Sequence, residues 1–284
     1  MTVVLGTRGS ALALVQSRLI AAALGPDVAL RVITTTGDTS TSSLSELGDG
    51  VFVTAIEDAL RRGEIDLAVH SLKDLPTTER ADLCIAAIPA RADPRDVLIT
   101  ATRGGLASLP QGACVGTSSP RRDAFLRAVR PDVTTRAIRG NVDTRLRKVL
   151  SGEYDATILA AAGLERLAIA FTPDEALDLA AWPPAPGQGA LAVQCRTADT
   201  ALRTRLAPLD DADTRTAVTA ERALLAALGA SCALALGSYA RCDGGRVILD
   251  GTLDDGGLRR THAEGTDPYS VADQAAAALR GVRV

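Results

Sequence analysis

The chain alternates short apolar runs with amphipathic stretches, and glycine, proline or hydroxyl residues break it at each junction. Residues 3–5 read as a strand, 10–24 as a helix stopped by Gly25-Pro26, and 28–34 as a second strand. Residues 51–62 carry helical spacing up to Gly63, and 65–69 form a short buried strand. This strand–helix–strand–helix order predicts an α/β architecture with mostly parallel pairing. The pattern restarts after Pro89, with strands expected at 97–100, 114–116, 133–138 and 156–160 and helices at 119–129 and 141–150. The proline-rich stretch 182–187 reads as a rigid linker, 191–194 as a strand returning to the first domain, and 216–228 as a long helix. Beyond Gly237, runs at 238–242, 246–250 and 258–263 are separated by Gly/Asp turns and followed by a helix at 270–279. They predict a three-stranded antiparallel sheet with helices, a separate α+β domain.

Composition narrows the function classes. A length of 284 residues leaves room for two or three domains, and 46 % hydrophobic residues are too many for disorder. Only Lys73 and Lys148 are lysines, which leaves 29 arginines among 31 basic residues. The guanidinium fork binds carboxylate or phosphate bidentately, although an alanine-rich, GC-biased composition also favours arginine. A net charge of −3 gives no basic field for DNA, and 2 % aromatics give no stacking surface for single strands. With only His70 and His262, a multi-histidine metal site is excluded, so no metal is expected. The five cysteines form no C-x-x-C pair, their number is odd, and no apolar run is long enough to span a membrane. A reduced, soluble, cytoplasmic protein with no nucleic-acid or membrane partner is the expectation.

Six segments hold candidate chemistry. Gly6-Thr7-Arg8-Gly9-Ser10 lies between a strand and a helix, where helix N–H groups face outward; an ordinary βα turn capped by Ser10 explains it equally well. His70-Ser71-Leu72-Lys73-Asp74 follows a buried strand, the place where open α/β sheets present ligand groups; a Lys–Asp surface pair before Pro76 is the plainer reading. In Thr117-Ser118-Ser119-Pro120-Arg121-Arg122 two cations crowd a capped helix start, where the helix dipole disfavours them, so an anionic partner is expected. Arg139-Gly140-Asn141 with Arg145 repeats the strand-to-helix pattern, and Arg166 follows the strand ending near Ala160. Cys232 sits in a Gly/Ala/Ser turn, more accessible than Cys84, Cys114 and Cys195, which read as small buried hydrophobes.

Taken together, the strings G-T-R-G-S-A-L-A-L-V-Q from Gly6, D-L-A-V-H-S-L-K-D-L-P from Asp66, D-P-R-D from Asp93 and V-G-T-S-S-P-R-R from Val115 resemble the porphobilinogen deaminase (hydroxymethylbilane synthase) family. So do R-G-N-V-D-T-R from Arg139, G-E-Y-D-A-T-I-L-A-A-A-G-L from Gly152, P-A-P-G-Q-G-A-L from Pro184 and T-A-E-R-A-L-L from Thr219, which extends the likeness over nearly the whole chain. The resemblance implies a transferase that condenses four porphobilinogen molecules head to tail, releases ammonia from each, and frees the linear tetrapyrrole hydroxymethylbilane. The chain would grow on a dipyrromethane primer held by a thioether, and Cys232 matches its attachment position.

By position in the family pattern, Asp74 is the catalytic carboxylate. Lys73, Ser71, Thr117, Ser118, Ser119, Arg121, Arg122, Arg139, Gly140 and Asn141 would hold the cofactor, and Arg8, Ser10, Arg145, Arg166 and Gln188 the substrate. The implied fold has two similar lobes, like those of periplasmic binding proteins, around a cleft, plus a smaller α+β domain. The expected boundaries are 1–90 with 189–208, 94–184, and 212–284, in a monomer. The chain departs from the pattern in two places: residues 39–50 contain no lysine, where relatives keep them, and the turn Ala230-Ser231-Cys232 lacks a following proline. A rival expectation is a non-catalytic two-lobed protein that captures a small carboxylate, but it leaves the third domain and Cys232 without a role.

Overall fold

The computed structural model describes residues 2–35, 53–78, 80–101, 104–172, 175–229 and 234–281. In chain order the first elements are β1 (Val3–Thr7), α1 (Ala11–Leu24), β2 (Val28–Val32), α2 (Thr54–Arg61), β3 (Leu67–Ser71) and β4 (Leu83–Ala87). Next come β5 (Asp96–Thr100), β6 (Cys114–Gly116), α3 (Pro120–Val129), β7 (Thr134–Arg136), α4 (Val142–Leu150), β8 (Ala156–Ala160) and α5 (Ala161–Arg166). The last are β9 (Leu191–Arg196), α6 (Thr200–Leu206), α7 (Ala212–Ala227), β10 (Ala235–Asp243), β11 (Arg246–Asp254), β12 (Leu258–Gly265) and α8 (Pro268–Leu279). They fall into two compact units, one containing Met1–Ala92 and Ala190–Thr216, the other Asp93–Gly189, Ala217–Gly229 and Ala233–Val284.

The first unit is built on a five-stranded sheet of order β2-β1-β3-β9-β4. Strands β1, β2 and β3 run parallel, as the helical crossovers predict, but β9 runs antiparallel to both β3 and β4. The parallel pairing expected from the alternation holds for β1, β2 and β3, and β9 is the exception, because it arrives from a distant part of the chain and has no crossover helix to fix its direction. Strand alternation sends Leu67 and Val69 to one core, with Leu5, Ile20 and Leu202, and Ala68 to the other, with Ile56, Ala59 and Leu60. Both faces of the inner strands β3 and β9 are therefore covered, which is why they read as continuous apolar runs, whereas the edge strand β2 is largely exposed. Helix α1 starts where Ser10 Oγ accepts the Ala13 N–H at 3.3 Å and ends at Gly25, whose φ of 107° suits only glycine.

The second unit holds two sheets. In the order β5-β8-β6-β7, β6, β7 and β8 are parallel and β5 is antiparallel to β8. Its larger core gathers Leu98, Val115, Phe125 and Ile158 around Trp182, whose ring meets Phe125 edge-on at 5.5 Å. The β10-β11-β12 sheet is wholly antiparallel, as expected, and packs one face on α8 with Leu249, Val271 and Leu279 buried. Its strands run longer than the sequence suggests, because polar residues at their ends, such as Asp254 and Glu264, stay in the ladder. Strand β4 and helix α6 were not anticipated, and the strand expected at 133–138 narrows to Thr134–Arg136. Among the described cysteines Cys195 is buried as expected, whereas Cys84 and Cys114 are only half-buried. Loop 39–50 and Cys232 lie outside the described residues.

Candidate functional site

In the first unit the site is assembled where β1 and β3 end. The turn after β1 delivers Arg8 and Ser10, and β3 continues into a single 3-10 turn, Leu72–Asp74, that carries Lys73 and Asp74 at the surface. This turn is tied to the chain before β9 at its start and closed by its own hydrogen bond at its end. The Leu72 N–H donates to Ala190 O at 3.0 Å, and the Leu75 N–H donates to Leu72 O at 3.2 Å. Arg8, Ser10, Gln16, His70, Ser71 and Asp74 line one small cavity of about 80 Å³. Close approach of β1 to the chain before β3 depends on Gly6, where a Cβ would stand 2.3 Å from Ile65 Cδ1.

Two members of this cavity were not among the expected site residues. Gln16 is buried on α1 and donates through Nε2 to Ser71 Oγ at 3.0 Å, fixing that hydroxyl. The signal for it was available, since Gln16 stands on the i,i+4 stripe Leu12–Gln16–Ile20 that faces the core. His70 is 6 % exposed, and its Nε2 makes no hydrogen bond of ordinary length. Burial pushes its pKa down to about 4; the nearby Gln194 amide opposes the shift and the charge of Arg8 adds to it. The imidazole is therefore neutral at pH 7.

The second unit gathers cations. At the start of α3, Ser119 Oγ accepts the Arg122 N–H at 3.4 Å, Thr117 Oγ1 accepts the Ser119 N–H at 3.2 Å, and Ser118 Oγ donates to Ile138 O at 2.9 Å. Arg121 and Arg122 turn inward rather than outward. Both reach the buried Asp96, through Arg121 Nη2 at 2.8 Å and Arg122 Nη2 at 2.7 Å. Trp182 Nε1 donates to the same carboxylate at 3.0 Å, and Gln188 Nε2 at 2.8 Å. Burial alone would raise the Asp96 pKa, but the charges of Arg121 and Arg122 and their hydrogen bonds hold it well below the usual carboxylate range. Asp96 belongs to the D-P-R-D string, yet it was not among the expected site residues; its role depends on partners 25 and more positions away in sequence.

Arg139, Gly140 and Asn141 are exposed at the entry to α4. Gly140 has φ of 109°, and a Cβ there would meet Thr144 at 2.6 Å, so the turn requires glycine. Arg145 Nε donates to Gly140 O at 2.9 Å, which folds that side chain back over the turn. Burial lowers the Arg145 pKa, and the charge of Arg122 lowers it further, which places these two guanidinium groups in one electrostatic neighbourhood. Arg166 donates through Nη2 to Gly189 O at 2.7 Å, and burial lowers its pKa as well.

This grouping has a chemical meaning. Two fully charged guanidinium groups share one buried carboxylate, a third stands nearby, and the buried Nε of Arg121 has no hydrogen-bond partner. Surplus buried positive charge is costly unless an anion joins it. The residues present therefore fit a bound polycarboxylate such as dipyrromethane. No group of three or more His, Cys, Asp or Glu side chains suited to a metal ion occurs among the described residues.

Comparison with known proteins now bears on this arrangement. The family described as "Porphobilinogen deaminase, dipyromethane cofactor binding domain" matches residues 3–224, and "Porphobilinogen deaminase, C-terminal domain" matches residues 215–280. The porphobilinogen deaminase of Leifsonia xyli subsp. xyli is 49 % identical over 95 % of this chain and 87 % of its own length. That of Roseiflexus castenholzii is 48 % identical over 95 % of this chain and 91 % of its own. Among solved structures, a periplasmic substrate-binding protein of an ABC transporter from Coxiella burnetii matches 73 % of this chain and 92 % of its own, with 14 % identity and a TM-score of 0.45. That likeness is too loose to bear on this chain.

Proposed function

The chain belongs to the porphobilinogen deaminase family, and from that premise we propose how its residues perform the family's reaction. It is a transferase of tetrapyrrole biosynthesis. It joins four porphobilinogen molecules head to tail into hydroxymethylbilane, with loss of ammonia from each, on a covalently bound dipyrromethane. When attached, dipyrromethane supplies the free pyrrole α-carbon to which substrate units are added. Cys232 is the proposed attachment point, through a thioether.

Asp74 acts on the substrate. Loss of ammonia leaves positive charge on the incoming pyrrole, and a carboxylate on a turn fixed to β3 stabilises that charge where it develops. Preorganisation matters here, and the bond from the Leu72 N–H to Ala190 O holds the start of this turn in place. Ser71, oriented by Gln16, and Lys73 present donors to the cofactor beside Asp74. Arg8 and Ser10 take a substrate carboxylate. In the second unit Arg121 and Arg122, held by Asp96, Pro183 O and Ile158 O, attract cofactor carboxylates through the charge that Asp96 leaves uncompensated. Thr117, Ser118, Ser119, Arg139, Gly140 and Asn141 supply further hydroxyl, guanidinium and backbone donors to the cofactor. Arg145 and Arg166 act on substrate carboxylates, and Gln188 takes part by fixing the orientation of Asp96.

The observation that carries this site reading is the pair of buried arginines sharing a single carboxylate. Three domains are proposed, 1–90 with 189–208, 94–184 and 212–284, each with its own sheet. A monomer in the cytoplasm is the matching cellular reading. Intact-protein mass tests the assignment. Wild-type protein should exceed its encoded mass by two condensed porphobilinogen units, and Cys232→Ser should carry none. Asp74→Asn should keep the adduct and its circular-dichroism spectrum while turnover falls by at least about 10²–10³-fold. An unmodified wild-type mass overturns the cofactor assignment, and near-normal turnover in Asp74→Asn overturns the role of Asp74.

A further inference from the structure

A pair of neighbouring thiols lies in the first unit, apart from the residues used above. Cys84 on β4 and Cys195 on β9 stand directly opposite each other in the antiparallel ladder, with their Sγ atoms 3.9 Å apart. Directly opposed residues in such a ladder have Cα atoms about 4.5–5.5 Å apart, inside the window of about 4.4–6.8 Å that a disulfide spans. The two thiols differ in access. Cys195 is fully buried, whereas Cys84 is half-buried and lines an open cavity of about 440 Å³ together with Thr200, Arg203 and Thr204. One sulfur can thus meet a small reagent from solvent, and the other can be reached only by its neighbour.

We propose that Cys84 and Cys195 form a peroxide-reactive dithiol that closes into a reversible cross-strand disulfide. Cys84 Sγ attacks one oxygen of a hydroperoxide while its thiol proton passes to the departing oxygen; the O–O bond breaks, an alcohol or water departs, and Cys84 becomes a sulfenic acid. Cys195 Sγ then attacks Cys84 Sγ, the S–O bond breaks, and the leaving hydroxide takes the Cys195 proton as water. Two thiols lose two electrons and two protons, and the peroxide gains them. The order of events follows from access, and chemistry supports it: burial and the neighbouring Cys84 push the Cys195 thiol up to about 12, which keeps it protonated until it acts. In a reducing compartment such a bridge is transient, formed under oxidant and removed by thiol exchange.

The test is a thiol map of the fully reduced holoenzyme after exposure to hydrogen peroxide. Free thiols are alkylated, and the protein is digested and analysed by mass spectrometry. The expected product is a peptide pair joined through Cys84 and Cys195, lighter by two hydrogens than the separate peptides and parted again by dithiothreitol, with Cys114 and Cys242 still alkylated. In Cys195→Ser, Cys84 should stop at a sulfenic acid that dimedone traps; in Cys84→Ser, Cys195 should remain alkylatable after unfolding. Oxidation of Cys84 to sulfinic acid in the wild type with Cys195 left free overturns the proposal. So does faster oxidation of Cys114 or Cys242, or no bridge at any peroxide dose. The wild-type map decides even if a variant fails to fold, and it does not depend on Cys232 or on turnover.

Discussion

Single residues carry unequal weight here, and Asp96 carries more than its neighbours. It is the common acceptor for Arg121, Arg122, Trp182 and Gln188, all buried. Removing its charge strands two guanidinium groups, a loss of about 3–5 kcal/mol for a buried pair. Asp96→Asn should lower unfolding free energy by that amount in urea titrations, and a change below about 1 kcal/mol would show that the pairing is not structural. His70 gives a pH signature. Its pKa is about 4 in the folded protein against 6.5 for the free side chain. Between those values the unfolded chain binds more protons, so stability is complete above about pH 6.5 and falls as the pH drops toward 4. The wild type should lose roughly 3 kcal/mol over that window, and His70→Asn should lose correspondingly less; parallel pH profiles for the two proteins would refute this.

At the scale of elements, turns do most of the positioning. Gly140 enters α4 at φ 109°, where a methyl would press on Thr144 at 2.6 Å, whereas Gly152 at φ 76° has open space around it. Gly140→Ala should cost about 1–3 kcal/mol by thermal melt, and Gly152→Ala less, since only backbone strain acts there. Equal losses would mean that contact with Thr144 is irrelevant. The same elements show what the sequence disclosed. Caps and breakers such as Ser10, Gly25 and Ser119-Pro120 mark helix ends to within a residue, because their signals are local. The direction of β9 was not legible: nothing in Leu191–Arg196 says that it runs antiparallel to β3, since that is decided by where the chain arrives from. Candidate residues on turns, such as Arg8 and Asp74, are proposed from motif alone. Asp96, Gln16 and His70 act through partners distant in sequence, and only the folded chain reveals those.

For the whole molecule, charge balance ties ligand to stability. If dipyrromethane carboxylates offset the surplus around Arg121 and Arg122, protein that lacks the adduct should be less stable and should respond to anions. Cys232→Ser, carrying no adduct, should melt below the wild type and recover part of the difference in sulfate, which a native state with vacant cationic sites binds preferentially. Identical melting of the two proteins, with no sulfate response, would count against ligand pairing of these arginines. The placement of β9 between β3 and β4 has a consequence in time. About a hundred residues separate the end of β4 from the start of β9, and until β9 emerges β4 has no strand to pair with. At roughly 5–20 residues per second, a ribosome leaves that gap open for about 5–20 s. The four-stranded sheet of the second unit, encoded without interruption between Asp96 and Ala160, is complete before the N-terminal sheet can close, so the sheet that is begun first is finished after its successor.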